Sequence, residues 1–168
     1  MITPDYVKAM AAYNQWQNRS IHKAAGNLTE TQRRQDCGLF FGSVHKTLSH
    51  LMWGDTIWLW RFTGRPAPKG SNVTESVDEF AEWGDLVQAR MALDTEIISW
   101  SEGVTDEFLA SGMSYFSVAV NRQISKSNAL LVTHFFNHQT HHRGQVHGVL
   151  TGMGQQPDDT DLPFMPEQ

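Results

Sequence analysis

Five of the chain's eight histidines fall within fourteen residues, His134-Phe-Phe-Asn-His138-Gln-Thr-His141-His142-Arg-Gly-Gln-Val-His147. His138 and His142 are four positions apart. On a helix, at about 100° per residue, they point the same way, one turn above the other. Two imidazoles so placed can hold one divalent ion. The bland alternative is a helix that happens to be rich in histidine, with its rings capping carbonyls or lying in solvent, and for a lone H-x-x-x-H step it would prevail. The crowding of five histidines moves the reading towards metal, with a third ligand required from elsewhere in the chain.

Several other chemistries are excluded by residue type. A zincin helix needs Glu directly after its first histidine, and that position is Gln139, which cannot act as a general base. Di-iron bundles need inward Glu-x-x-His pairs, and none is present on these helices. No glycine-rich phosphate loop appears, and Cys37 lies in a linker with no evident base beside it. A haem bundle could use a single histidine but would not explain the pair.

Three histidines lie outside the cluster: His22, His45 and His50. His50 sits mid-helix in Thr47-Leu-Ser-His-Leu-Met-Trp-Gly-Asp55, and Gly54, one turn on, removes side-chain bulk where a ligand would need room. Close helix packing is the other explanation for that glycine. His45 is about 140° away from His50 around a helix, so the two cannot serve one ion. Asn14, Asn18 and Asp55 are candidates to orient the second nitrogens of ligating rings. Arg143 could form a structural ion pair or anchor an anionic substrate, and the structural role is preferred. Gly144 reads as a site of close helix approach.

The elements that must position these residues are helical. Thr3-Pro4 caps and opens a first helix running to about residue 26, with Val7, Ala11, Asn14, Asn18, Ile21 and Ala25 along its inward seam. The two asparagines there are either satisfied core groups or pocket lining. Thr29-Glu-Thr-Gln32 is a capping box for a short helix ended by Gly38. A second long helix spans 39–62, with Val44, Leu48, Leu51, Trp58 and Phe62 as its apolar stripe. Gly64-Arg-Pro-Ala-Pro-Lys-Gly70 breaks the chain into a loop, and this connection is long enough for a crossover. Ser76-Val-Asp-Glu79 is a second capping box, opening a third helix over 77–103 whose core face is Phe80, Trp83, Val87, Met91 and Ile98. Residues 113–120 and 122–125 pair as a short hairpin turning at Asn121, and the fourth long helix, 129–152, carries the histidines. The tail holds three prolines and is expected to be extended. Long amphipathic helices joined by loops, without internal repeats, indicate an all-α bundle forming a single domain over 1–168.

Bulk properties narrow the partners. The chain has 168 residues, a net charge of −5, and no basic run longer than Arg33-Arg34, so a nucleic-acid surface is not expected. Hydrophobic content of 40% and charged content of 18% are those of a globular protein. The single cysteine excludes an intramolecular disulfide and suits a reducing compartment. No basic, apolar leader opens the chain, and no apolar run approaches the ~20 residues of a membrane helix. The expected location is the cytoplasm, with no membrane partner. Six tryptophans and nine phenylalanines are core residues by default.

Thr47-Leu-Ser-His50-Leu on an early helix, with His138-x-x-x-His142-Arg-Gly-Gln145 on a late one, resembles the DinB/YfiT-like family. The likeness runs from the first helix through Leu150-Thr-Gly-Met-Gly154, and the run His141-His-Arg-Gly-Gln145 is its most specific element. The resemblance implies a four-helix bundle with one divalent metal, nickel or zinc, held by His50, His138 and His142. It leaves His134 beside the ligands or along a channel wall, and reads His141 and His147 as non-ligands. It further implies a homodimer, for which any tryptophans left exposed would serve as interface, and a small-molecule substrate. The leading activity it implies is transfer of a low-molecular-weight thiol to a small electrophile, with hydrolysis second. The rivals are a non-catalytic metal-binding stress-response protein and a metal-free dimerising bundle. No catalytic residue or general base is assigned.

Overall fold

The computed structural model describes residues 1–64, 73–118 and 120–167. Four long helices make the bundle: α1 (Pro4–Gly26), α3 (Val44–Thr63), α5 (Trp83–Glu102) and α7 (Asn128–Gly152). Between them lie the short helices α2 (Glu30–Arg34), α4 (Val73–Ser76) and α6 (Asp106–Ala110), and the hairpin β1 (Gly112–Ser117) with β2 (Arg122–Ser127). The hairpin is antiparallel, pairing Gly112 with Ser127 and Ser117 with Arg122, and Asn121 takes the left-handed φ of 48° its turn requires. No helix among the described residues is long and apolar enough to cross a membrane.

Local chemistry accounts for most boundaries. Thr3 accepts a hydrogen bond from the Tyr6 N–H at the start of α1, and Pro4 needs no donor there. Thr29 and Gln32 cap each other reciprocally at α2. Ser127 caps α7 by accepting from the Leu130 N–H. Gly64 closes α3 at a φ of 68°, donating its N–H to the Trp60 carbonyl. The loop expected over 64–70 lies, beyond Gly64, outside the described residues.

Three boundaries depart from the sequence expectation. Helix α2 ends at Arg34 rather than Gly38. The second long helix starts at Val44 and not at 39, because Gly42 turns at a φ of 83°, its carbonyl accepts from the Cys37 N–H at 2.8 Å, and Ser43 supplies the cap. The third begins at Trp83 and not at 77. Ser76 ends the single turn of α4, and its hydroxyl donates to the Val73 carbonyl at 2.6 Å instead of capping a helix. The tail is extended except for a 3-10 turn at Leu162–Phe164.

Each of α1 and α3 packs against both α5 and α7. Contacts that rise and fall together fix the directions. Asp55 meets Arg90 and Phe62 stacks on Trp100, so α3 and α5 run parallel. Asp55 meets Gln139 while Trp58 meets His134, so α3 and α7 run antiparallel. Parallel neighbours oblige the chain to return along the bundle between α3 and α5, about 30 Å for a helix of this length. Ser76 against Ser49 and Phe80 against His45 mark that return. The crossover has a purpose below, because it carries Ser76 to the histidines.

The apolar core draws on all four long helices, with Val7 and Ile21, Leu48 and Phe62, Leu86 and Ile97, and Phe135 and Val146 among its members. A polar layer interrupts it. Arg90 lies 2.6 Å from Asp55 and 2.9 Å from Asp94. Asn18 donates to Asp94 at 2.8 Å, Gln139 donates to Asp55 at 3.0 Å, and Arg143 donates to Asn14 and Asn18. All seven residues are buried. Burial works against the Arg90 charge, and the flanking carboxylates more than offset it, raising its pKa. The buried face of α5 is therefore Leu86, Arg90, Leu93, Asp94 and Ile97; of the stripe read from sequence, Phe80, Trp83 and Ile98 pack against the core partly buried, while Met91 is 60% exposed.

Replacing Arg90 by Met should leave Asp55 and Asp94 buried without their direct ion-pair partner and lower unfolding free energy by about 3–5 kcal/mol, read by urea denaturation at pH 7. His22 offers a second test. It is buried against Trp83, its Nδ1 bonds the Asn18 carbonyl, and burial lowers its pKa from 6.5 to about 4. The unfolded chain then takes up a proton that the folded one refuses. His22's contribution is complete above pH 6.5 and is lost as the pH falls towards 4, by up to about 3 kcal/mol. The pH slope of stability in that window should be shallower in His22→Gln, and equal slopes would show that the ring is not held neutral.

Candidate metal centre

Three rings converge where α3 passes α7. His50 comes from α3, and His138 and His142 from successive turns of α7, with ring centres 5.4, 5.0 and 4.5 Å apart for 50–138, 50–142 and 138–142. One nitrogen from each lies within 4.8 Å of the other two, so the group could hold a metal ion. The Nε2 atoms of His50 and His138 are 3.4 Å apart. Two nitrogens bound to one tetrahedral ion at 2.0–2.1 Å would be separated by about 3.3 Å. The His50–His138 spacing fits such an ion.

The protons can be placed by following donors. The Ser76 hydroxyl gives its hydrogen to the Val73 carbonyl, so towards His50 Nδ1, 3.0 Å away, it can only accept. His50 thus carries its hydrogen on Nδ1 and a lone pair on Nε2. His142 Nδ1 likewise donates to the Gln145 Oε1 at 2.9 Å, leaving its Nε2 bare. His138 Nδ1 is buried with no partner among the described residues. Burial lowers all three pKa values, His50 to about 4 and His138 to about 3, with mutual repulsion adding to the effect. The rings are therefore neutral at pH 7, the form that ligates.

Gly54 makes the convergence possible. A Cβ at that position would sit 2.9 Å from His138 Cε1. The room it provides on α3 is filled by the ligand's own ring. Around the centre the Phe41 ring stacks on His50 with centres 3.9 Å apart and approaches His142 at 5.6 Å, while Trp53 stands 5.8 Å from His50. Phe41 is placed there by the glycine-rich turn ahead of α3, a stretch the sequence reading assigned to the helix itself.

The remaining candidates separate cleanly. His134 is exposed, 5.9 Å from the His138 ring, and His141 is exposed with its ring on edge against His142. His147 faces a different cavity, lined from α1 and α7. His45 is buried and donates Nε2–H to the Phe80 carbonyl at 2.8 Å, away from the centre. Asn14, Asn18 and Asp55 do not orient the histidines. They belong to the polar layer, where the buried charges of Arg90, Asp94 and Arg143 claim them. The orienting groups are Ser76 and Gln145. Gln145 was legible as the residue three after His142 on one helix face, but Ser76 was hidden by its resemblance to a cap. Gly144 is not a point of close approach, since a Cβ there would meet nothing within 4 Å. Cys37 donates its thiol to the Gly42 carbonyl, and burial raises its pKa, so it is no ready nucleophile. No tryptophan is fully exposed; Trp58 is buried and the other five are half-buried.

The DinB family model matches residues 1–168. Protein DinB of Bacillus subtilis (strain 168) is 23% identical over 172 aligned residues, covering 94% of this chain and 91% of that protein. The chain belongs to the DinB family.

Gly54→Ala tests the steric argument. The added methyl should push the His138 ring off its position and weaken metal affinity by about tenfold or more, measured by competition with a chromophoric chelator. Gly144→Ala, made in open space on α7, should leave the affinity unchanged.

Proposed function

We propose that this member of the DinB family holds one divalent ion, zinc or nickel, on His50, His138 and His142 and transfers a low-molecular-weight thiol to a small electrophile. The observation that carries the reading is the fixed pair of tautomers: Ser76 and Gln145 occupy the Nδ1 hydrogens of His50 and His142, so both Nε2 lone pairs are free for a ligand. Structural zinc sites close around four protein donors, whereas three donors leave a place for an incoming group. All three donors are neutral imidazoles, so the protein does not neutralise the cation. The chemistry such an ion supplies is Lewis acidity, which lowers the pKa of a thiol or of water.

The chain's own residues favour the thiol. The cluster contains no carboxylate to serve as general base. A thiol ionises near pH 8.5 and needs little assistance, while water starts near 15.7. Phe41 lies flat on His50 and shields that side from water, which suits an uncharged electrophile more than a hydrated one.

Metal analysis of the freshly purified protein beside His142→Ala should give about one equivalent in the wild type and far less in the variant. Undiminished metal in His142→Ala would discard the site. In cobalt-substituted protein, small thiols should add a sulfur-to-metal absorption band and azide should shift the visible bands. A spectrum indifferent to both would assign the ion a purely structural role.

A further inference from the structure

A second cavity, of about 500 Å³, opens between α1 and α7, and none of the three metal-centre histidines lines it. Its floor includes Arg143, whose side chain is among the most buried cations of the chain at 5% exposure. Among the described residues Arg143 bonds only through NH1, to the neutral amides of Asn14 and Asn18, and its guanidinium lies over Tyr13 at 5.7 Å. Among the described residues no carboxylate lies within ion-pair distance of it. Asp55 and Asp94, the nearest acids of the polar layer, are both taken by Arg90. A buried guanidinium normally meets a carboxylate face to face. Arg143 instead lines a cavity.

The rest of the lining is shaped for a ligand with an apolar part. Gly144 and Gly148, one turn apart on α7, leave bare backbone, and a Cβ at either would meet nothing within 4 Å. Ile21 and the Tyr13 ring face them from α1. Thr160 closes the cavity from the C-terminal segment, which is tied across α1 by Tyr13 Oη to the Thr160 carbonyl at 2.8 Å and Gln17 Nε2 to the Asp159 carbonyl at 2.7 Å. The aspartates of that segment do not line the cavity, and Asp159 turns its carboxylate back onto the Asp161 N–H. His147 lines it with a buried Nδ1 that has no partner among the described residues.

We propose that this cavity binds a small organic monocarboxylate, its carboxylate on the free edge of Arg143 and its apolar part against Gly144, Gly148 and Ile21. A single cation without a direct carboxylate contact suits one negative charge, which favours a carboxylate over a phosphate dianion, since among the described residues no other Lys or Arg lines the space. A volume of this size accommodates a ring or a short chain. The site is independent of the metal reading and requires no ion.

Benzoate titrated into the intact protein, followed by calorimetry or amide NMR, is the direct probe, with benzamide as its uncharged counterpart and inorganic phosphate as the dianion. Saturable benzoate binding is expected, with benzamide weaker by about tenfold or more. Gly148→Leu fills the cavity from an open position on α7 and should weaken benzoate by about tenfold or more while the protein stays folded by circular dichroism. Gly144→Val gives the same reading should the first variant not fold. Absence of saturable binding, equal affinity for benzamide, tighter binding of phosphate, or benzoate affinity unaltered in the folded cavity-filling variant would each overturn the assignment.

Discussion

Arg90, clasped between Asp55 and Asp94, is the constraint on which the bundle's geometry rests. Apolar helix faces can slide past one another at little cost, whereas a buried ion pair is tolerated only in one register. Around this pair the four long helices are joined in a single network, Asn14 and Asn18 from α1, Asp55 from α3, Arg90 and Asp94 from α5, Gln139 and Arg143 from α7. The Asp55–Gln139 bond locks α3 against α7 beside the contact between Gly54 and the His138 ring. Two consecutive residues of α3 therefore set the register and admit the ligand. His50, one turn earlier, is brought opposite His142 by the same lock.

The metal centre then inherits its chemistry from hydrogen-bond direction. A histidine ligates through whichever nitrogen its other hydrogen bond leaves bare. Ser76 can only accept because Val73 takes its hydrogen, and Gln145 offers an amide oxygen. The two rings are directed by quite different devices. One partner lies on the same helix face as its histidine; the other arrives on a segment returning along the bundle.

Much of this was legible in the residues, and the failures share a cause. The spacing of His138 and His142 and the α1 seam from Val7 to Ala25 depend only on helical periodicity, and both read correctly. Gly54 one turn on marked His50 as a position with room for a ligand, but the choice of His50 as the third ligand came from likeness to a family, since close helix packing explains a mid-helix glycine equally well. Phe80, Trp83 and Ile98 of the expected third-helix face do pack against the core, but Arg90 and Asp94 at its centre went unread, because each of the two charges is buried only by the other's presence. The same pair misled the reading of Asn14 and Asn18, which were correctly placed inside but given to the wrong partners. Ser76 failed for a different reason: a serine three residues before a glutamate is a cap only if a helix follows, and the helix starts at Trp83.

The position of Ser76 has one further consequence. It fixes which nitrogen of His50 carries the hydrogen from outside the four long helices, twenty-six residues along the chain from the ring it orients. Connecting segments accept insertions and replacements that packed helices refuse. The electron-donating power of one imidazole is thus tunable by changes in a linker, with every helix axis left where it stands. A scaffold wired in this manner can diversify its reactivity without redesigning its interior.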